Sequence, residues 1–130
     1  MLGKKILIVD DEVHIVHVVA IKLRNNGYEV ISAENGMSAF ELAAAEKPDV
    51  IVTDYQMPGM SGLELVEKLR QCEQTKDIPV VMLTARSFAI SDQQKETLRI
   101  SDLVSKPFSP RELLRCIEDI LYHNSLTQQN

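Results

Sequence analysis

Five times along this chain a short apolar run is followed by an amphipathic stretch, and that alternation limits the possible folds more than any other feature of the sequence. Repeated strand–helix units build a parallel sheet, because a parallel neighbour is reached only by a crossover over one face of the sheet. The runs predict strands at Lys5 to Val9, Glu29 to Ser32, Val50 to Thr53, Val80 to Leu83 and Leu103 to Ser105. The first, third and fourth are almost unbroken Ile, Val, Leu and Met, as expected of strands covered on both faces. The second and fifth are shorter and more mixed, which suits sheet edges.

The helices mark their own starts. Ser61-Gly62-Leu63-Glu64, Ser91-Asp92-Gln93-Gln94 and Ser109-Pro110-Arg111-Glu112 each set a serine three residues before Glu or Gln, the capping-box spacing. Val16, Val19, Ala20 and Leu23 form the apolar face of the first helix. Leu65, Val66 and Leu69 do so for the third, and Leu113, Leu114, Ile117, Ile120 and Leu121 for the fifth. Asn26-Gly27 closes the first helix and Lys47-Pro48-Asp49 ends the second. The predicted class is α/β: a doubly wound, five-stranded parallel sheet of flavodoxin-like order 2-1-3-4-5, with helices on both faces. Residues 1–122 form the domain; 123–130, polar and aperiodic, read as a frayed tail or the start of a linker.

Composition narrows the function. A 130-residue chain with 45% hydrophobic and 25% charged residues has room for one core. Nineteen acids against fourteen Lys and Arg give a net charge of -5, and six aromatics without Trp offer little for base stacking, so no direct nucleic-acid contact is expected. The Lys4-Lys5 pair reads as a solubilising start. Cys72 and Cys116 form no zinc-type cluster and read as buried or half-buried helical thiols. The apolar run Ile6 to Val9 is too short for a signal-peptide core or a membrane helix, so a cytoplasmic setting is expected.

In such a sheet the chemistry lies at the carboxyl ends of the strands. There the chain places Asp10-Asp11-Glu12, Asp54, Thr84 and Lys106-Pro107. Asp10 or Asp11 would face Asp54 across neighbouring strands. Two carboxylates at ~4 Å repel by about 4 kcal/mol at an effective dielectric near 20, so the pocket calls for a cation. Lys106 supplies one positive charge, and Mg²⁺ best fits the remaining need, with one or two carboxylates, a backbone carbonyl and waters as ligands. The five glycines make neither a dinucleotide fingerprint nor a P-loop. An acid cluster, a hydroxyl and a lysine around a metal suit phosphoryl transfer with an Asp nucleophile.

The segments Ile6-Leu7-Ile8-Val9-Asp10-Asp11-Glu12, Asp54-Tyr55-Gln56-Met57-Pro58-Gly59-Met60-Ser61-Gly62, Leu83-Thr84-Ala85 and Lys106-Pro107-Phe108 together resemble the receiver domain of bacterial two-component response regulators. The resemblance spans about residues 4–122. It implies a signalling domain rather than an enzyme, with Asp54 accepting a phosphoryl group from a phosphohistidine on a sensor histidine kinase or phosphotransfer protein. It further implies that Asp10, Asp11, Asp54 and the Gln56 backbone carbonyl hold Mg²⁺. Lys106 would pair with the aspartyl phosphate, the Thr84 hydroxyl would move to bond it, and the peptide before Pro107 would be cis. The output would pass through the face made by the fourth helix, fifth strand and fifth helix, toward an output domain, an effector or a second copy.

The chain departs from that pattern at Leu103, where receivers usually carry Tyr or Phe, so coupling from Thr84 would use another element. Ile100-Ser101 stands where the family has Gly-Ala, and Gln56 and Arg86 occupy positions that tune phosphoryl lifetime. Two rival readings are a Mg²⁺-dependent hydrolase with an Asp nucleophile and a receiver-like module that binds partners without phosphorylation. Asp10 and Asp11 also suit a helix N-terminus on dipole grounds. His14 and His17 lack a third ligand partner and read as a solvated helix face, and Met57, Met60 and Met82 as packing.

Overall fold

The computed structural model describes residues 3–85 and 90–128, with side chains described through 126. The elements in chain order are β1 (Lys5–Val9), α1 (Val13–Asn25), β2 (Glu29–Ala33), α2 (Gly36–Glu46), β3 (Val50–Asp54), α3 (Gly62–Gln71), β4 (Val80–Thr84), α4 (Asp92–Thr97), β5 (Ile100–Ser105) and α5 (Pro110–Gln128). The strands pair in parallel in the order β2-β1-β3-β4-β5, as the alternation predicts.

Successive side chains of a strand point to opposite faces, and this divides the core in two. Ile6, Ile8, Val50, Val52, Val81 and Leu83 pack with Val19 and Leu23 of α1 and Leu113 and Ile117 of α5. Leu7, Val9, Ile51, Val80 and Met82 pack with Ala39 and Ala43 of α2 and Leu65, Val66 and Leu69 of α3. Each fully buried Leu or Ile contributes roughly 1.5–3 kcal/mol. β3 and β4 are buried throughout and β1 is buried after Lys5, whereas β2 and β5 mix exposed and buried positions as edge strands do.

Ser61 and Ser91 form reciprocal capping boxes with Glu64 and Gln94, and the Ser109 hydroxyl accepts from the Glu112 N–H at 3.1 Å. α1 stops at Asn26 followed by Gly27, whose φ of 91° is open to glycine without strain. A Cβ on Gly62 would stand 2.5 Å from the Asp54 carbonyl oxygen and 2.7 Å from the Met82 sulfur. Glycine there lets the first turn of α3 lie directly on the end of β3. α4 has six residues and buries none of them.

β2, β3 and β4 each run one residue past the sequence reading, to Ala33, Asp54 and Thr84, and two further boundaries differ by more. β5 begins at Ile100 rather than Leu103: Ile100 pairs with Val80 and Asp102 with Val81, leaving Ser101 as an extra residue in the edge strand. The polar Ser101-Asp102 pair hides this start, because both residues are exposed. α5 continues past Tyr122 to Gln128, so residues 123–128 are helical. No Gly or Pro interrupts them, and Asn124 and Ser125 still line a crevice against Lys4, Asp49 and Pro79.

Candidate phosphoacceptor site

The backbone ladder reaches beyond the strands and holds their carboxyl ends together. Asp10 N–H donates to the Ala33 carbonyl at 3.2 Å, Tyr55 N–H to Leu83 at 2.8 Å and Lys106 N–H to Thr84 at 2.8 Å. These bonds set Asp10, Asp54, Thr84 and Lys106 around one edge. The Lys106–Pro107 peptide is cis. A cleft of about 620 Å³ opens there, lined by Asp11, Glu12, Asp54, Gln56, Thr84 and Lys106, among others.

Lys106 Nζ lies 3.3 Å from Asp10 Oδ2, 3.3 Å from Glu12 Oε1 and 3.3 Å from Asp54 Oδ1. Asp10 is further held by the Glu12 N–H, which donates to its Oδ1 at 2.9 Å. Burial pushes the Asp10 carboxyl above its ordinary range, against the Glu12 N–H and the Lys106 charge. Burial also raises Asp54, and the neighbouring Asp10 charge adds to the rise. For Lys106, burial works against the ammonium, but Asp10 and Asp54 outweigh it and the net direction is upward. Among the described residues, one cation therefore serves three carboxylates.

Asp10, Glu12 and Asp54 can each present an oxygen within 4.8 Å of the others, a set of hard donors able to hold a metal ion. Glu12 was not assigned a role by sequence; it joins this set because it stands at the N-cap position of α1, makes no side-chain capping bond there and turns toward Lys106. Asp11 is exposed and lines the cleft alongside. Thr84 is buried at the end of β4, and Gln56 sits on the cleft wall. Leu103 is half-buried and packs beside the α2–α3 side of the core, in register with Met82. Arg86 lies outside the described residues. His14 and His17 are exposed on α1, Met82 is buried, and Met57 and Met60 pack against the same core. Cys72 and Cys116 are half-buried free thiols.

A doubly wound parallel sheet with an acid cluster and a lysine at its carboxyl edge defines a flavodoxin-like α/β domain with its site at the switch between β1 and β3. The chain belongs to the response regulator receiver domain family, whose profile matches residues 6–118. It is 43% identical over 121 residues to the phosphate regulon transcriptional regulatory protein PhoB of Pseudomonas aeruginosa, covering 93% of this chain and 53% of that protein. It is 39% identical to the alkaline phosphatase synthesis transcriptional regulatory protein PhoP of Bacillus subtilis, covering 96% of this chain and 51% of that protein. The chain thus spans about half the length of these curated relatives. The chemotaxis response regulator CheY4 of Vibrio cholerae superposes with a TM-score of 0.84 at 34% identity, covering 91% of this chain and 98% of that one. The chain is a receiver domain of two-component signalling, and the hydrolase and phosphorylation-independent readings are not favoured. Among the described residues no helix is long and apolar enough to cross a membrane.

Proposed function

We propose that Asp54 accepts a phosphoryl group from the phosphohistidine of a sensor kinase or phosphotransfer protein. The observation that carries this reading is the placement of Asp54: nearly buried at the end of β3, 3.3 Å from Lys106, and open to the acid-lined cleft. An Asp54 oxygen forms the new P–O bond as the P–N bond breaks, and the bonding pair leaves with the imidazole. Lys106 exchanges a carboxylate for the transferred group, and the Thr84 hydroxyl donates to it. The chain thereby assists its own phosphorylation and its slow dephosphorylation, with Gln56 and Arg86 as the positions that set the lifetime.

The hard oxygen donors at this edge fit Mg²⁺, which Asp10, Asp11, Asp54 and the Gln56 carbonyl oxygen would hold. When bound it supplies shielding of the crowded carboxylates and of charge on the phosphoryl oxygens. The phosphorylated state then presents an altered α4–β5–α5 face to an output domain, an effector or a second copy. With Leu103 half-buried in β5 where an aromatic switch would stand, the change passes from Thr84 through another element. A cytoplasmic setting fits this chemistry.

The test is intact mass after incubation with Mg²⁺ and acetyl phosphate. The wild type gains one phosphoryl group, and Asp54→Asn gains none. A wild type without the adduct, or an equal adduct on Asp54→Asn, overturns the reading.

A further inference from the structure

We propose that Glu12 is a positioning residue that competes with the phosphoryl group for Lys106 and is released when Asp54 is charged; this rests on the acceptor reading of Asp54. A lysine ammonium has three N–H donors and no acceptor. In this structure three carboxylates lie around it, each at 3.3 Å. Phosphorylation replaces the Asp54 carboxylate with a dianionic group that has three acceptor oxygens, and a second lysine donor for it has to come from a neighbouring carboxylate.

The three side chains differ sharply in exposure: 0% for Asp10, 9% for Asp54 and 60% for Glu12. Releasing Asp10 strands a charge where water cannot reach it, and Asp10 is also tied to the Glu12 N–H. Asp54 carries the phosphoryl group. Glu12 alone of the three can be rehydrated as it leaves, and an exposed carboxylate–lysine pair costs little to break. Its side chain makes no capping bond at the start of α1 that would hold it in place. A phosphoryl dianion beside it adds like-charge repulsion in the same direction.

Glu12 lines two surfaces at once. It borders the acid cleft and also an apolar groove between α1 and the β5–α5 connection, where Ile15, Val18, Pro107 and Phe108 form the walls. Its release from Lys106 therefore changes the rim of that groove together with the occupancy of the site.

The test is calorimetric titration of trifluoroberyllate, a phosphoryl mimic, at fixed Mg²⁺, and of Mg²⁺ alone. The proteins are the wild type, Glu12→Gln, Lys106→Met and the double variant. Glu12→Gln is expected to bind the mimic about two- to fivefold more tightly, the scale on which an exposed pair couples. The gain disappears on the Lys106→Met background. Unchanged or weaker mimic binding by Glu12→Gln, with the wild type binding normally, overturns this inference alone. So does a loss of Mg²⁺ affinity of about tenfold or more, which marks Glu12 as a metal ligand. A gain that persists without Lys106 overturns it as well, because the effect is then diffuse charge. If neither the wild type nor Glu12→Gln binds the mimic, the acceptor reading falls and this inference falls with it.

Discussion

Asp54 is costly to the metal-free fold. Burial, and then the Asp10 charge, hold its carboxyl above the ordinary range, so folding opposes the ionised form. A carboxyl with a raised folded pKa adds stability below its unfolded pKa and loses that contribution as pH rises through the folded value. Asp54→Asn, neutral at every pH, is expected to raise the melting temperature in chelator at neutral pH by a few degrees. The wild type then gains more than the variant when Mg²⁺ is added. A lower melting temperature for Asp54→Asn in chelator contradicts this account. Cys116 offers a second titration, far from the site. Its thiol donates to Asp102 Oδ2 at 3.1 Å, and burial followed by that carboxylate push it up to about 12. An unfolded thiol ionises near pH ~8.5, so this contribution to stability is whole below that pH and disappears as pH approaches about 12. Alkylation of Cys116 at about pH 9 is expected to be slow, since the thiolate is the nucleophile, and Asp102→Asn should accelerate it. Equal rates for the two proteins count against the pairing.

At the scale of elements, Arg70 joins α3 to the amino ends of β4 and β5. Its guanidinium donates to the carbonyls of Lys76, Ile78, Leu98 and Arg99 at 2.8–3.2 Å. Burial, with the Arg99 charge adding to it, lowers its pKa to about 10. Removing these donors leaves several carbonyls unsatisfied at about 1–3 kcal/mol each where they are buried. Arg70→Met is therefore expected to lower the urea midpoint clearly, and Arg70→Lys to restore little, because an ammonium cannot reproduce the planar fork. Full rescue by lysine contradicts the fork argument. Nothing in the sequence marks Arg70, since its partners are main-chain carbonyls and carry no side-chain signature. The strands were legible because their side chains are buried on both faces, which leaves unbroken Ile, Val and Leu runs. The start of β5 was not, because Ser101 and Asp102 face solvent and interrupt the apolar pattern. Asp10, Asp54, Thr84 and Lys106 were legible as strand-end positions. The part played by Glu12 was not, because it depends on the direction its side chain takes at the first turn of α1.

Over the whole molecule, stability is unevenly distributed. β1, β3 and β4 are closed on both faces, while α4 buries no side chain. Amide exchange in the metal-free protein is expected to be slowest in β1, β3 and β4 and fast in α4, where opening exposes little apolar surface. Protection of α4 equal to that of β3 counts against this gradient. Asp54, the proposed acceptor, thus stands on the stiffest part of the molecule, and the surface proposed to report its state includes the loosest element, α4.

Ser101 gives that arrangement its phase. As the unmatched residue between the Val80 and Val81 pairings, it advances the rest of β5 by one, bringing Leu103 opposite Met82 and Ser105 opposite Thr84. A one-residue slip of the pairs after it would turn the remainder of the strand over and move Lys106 out of step with Asp54. The lysine's reach is counted out at the far end of its strand, so this segment accepts a change of residue more readily than a slip of register.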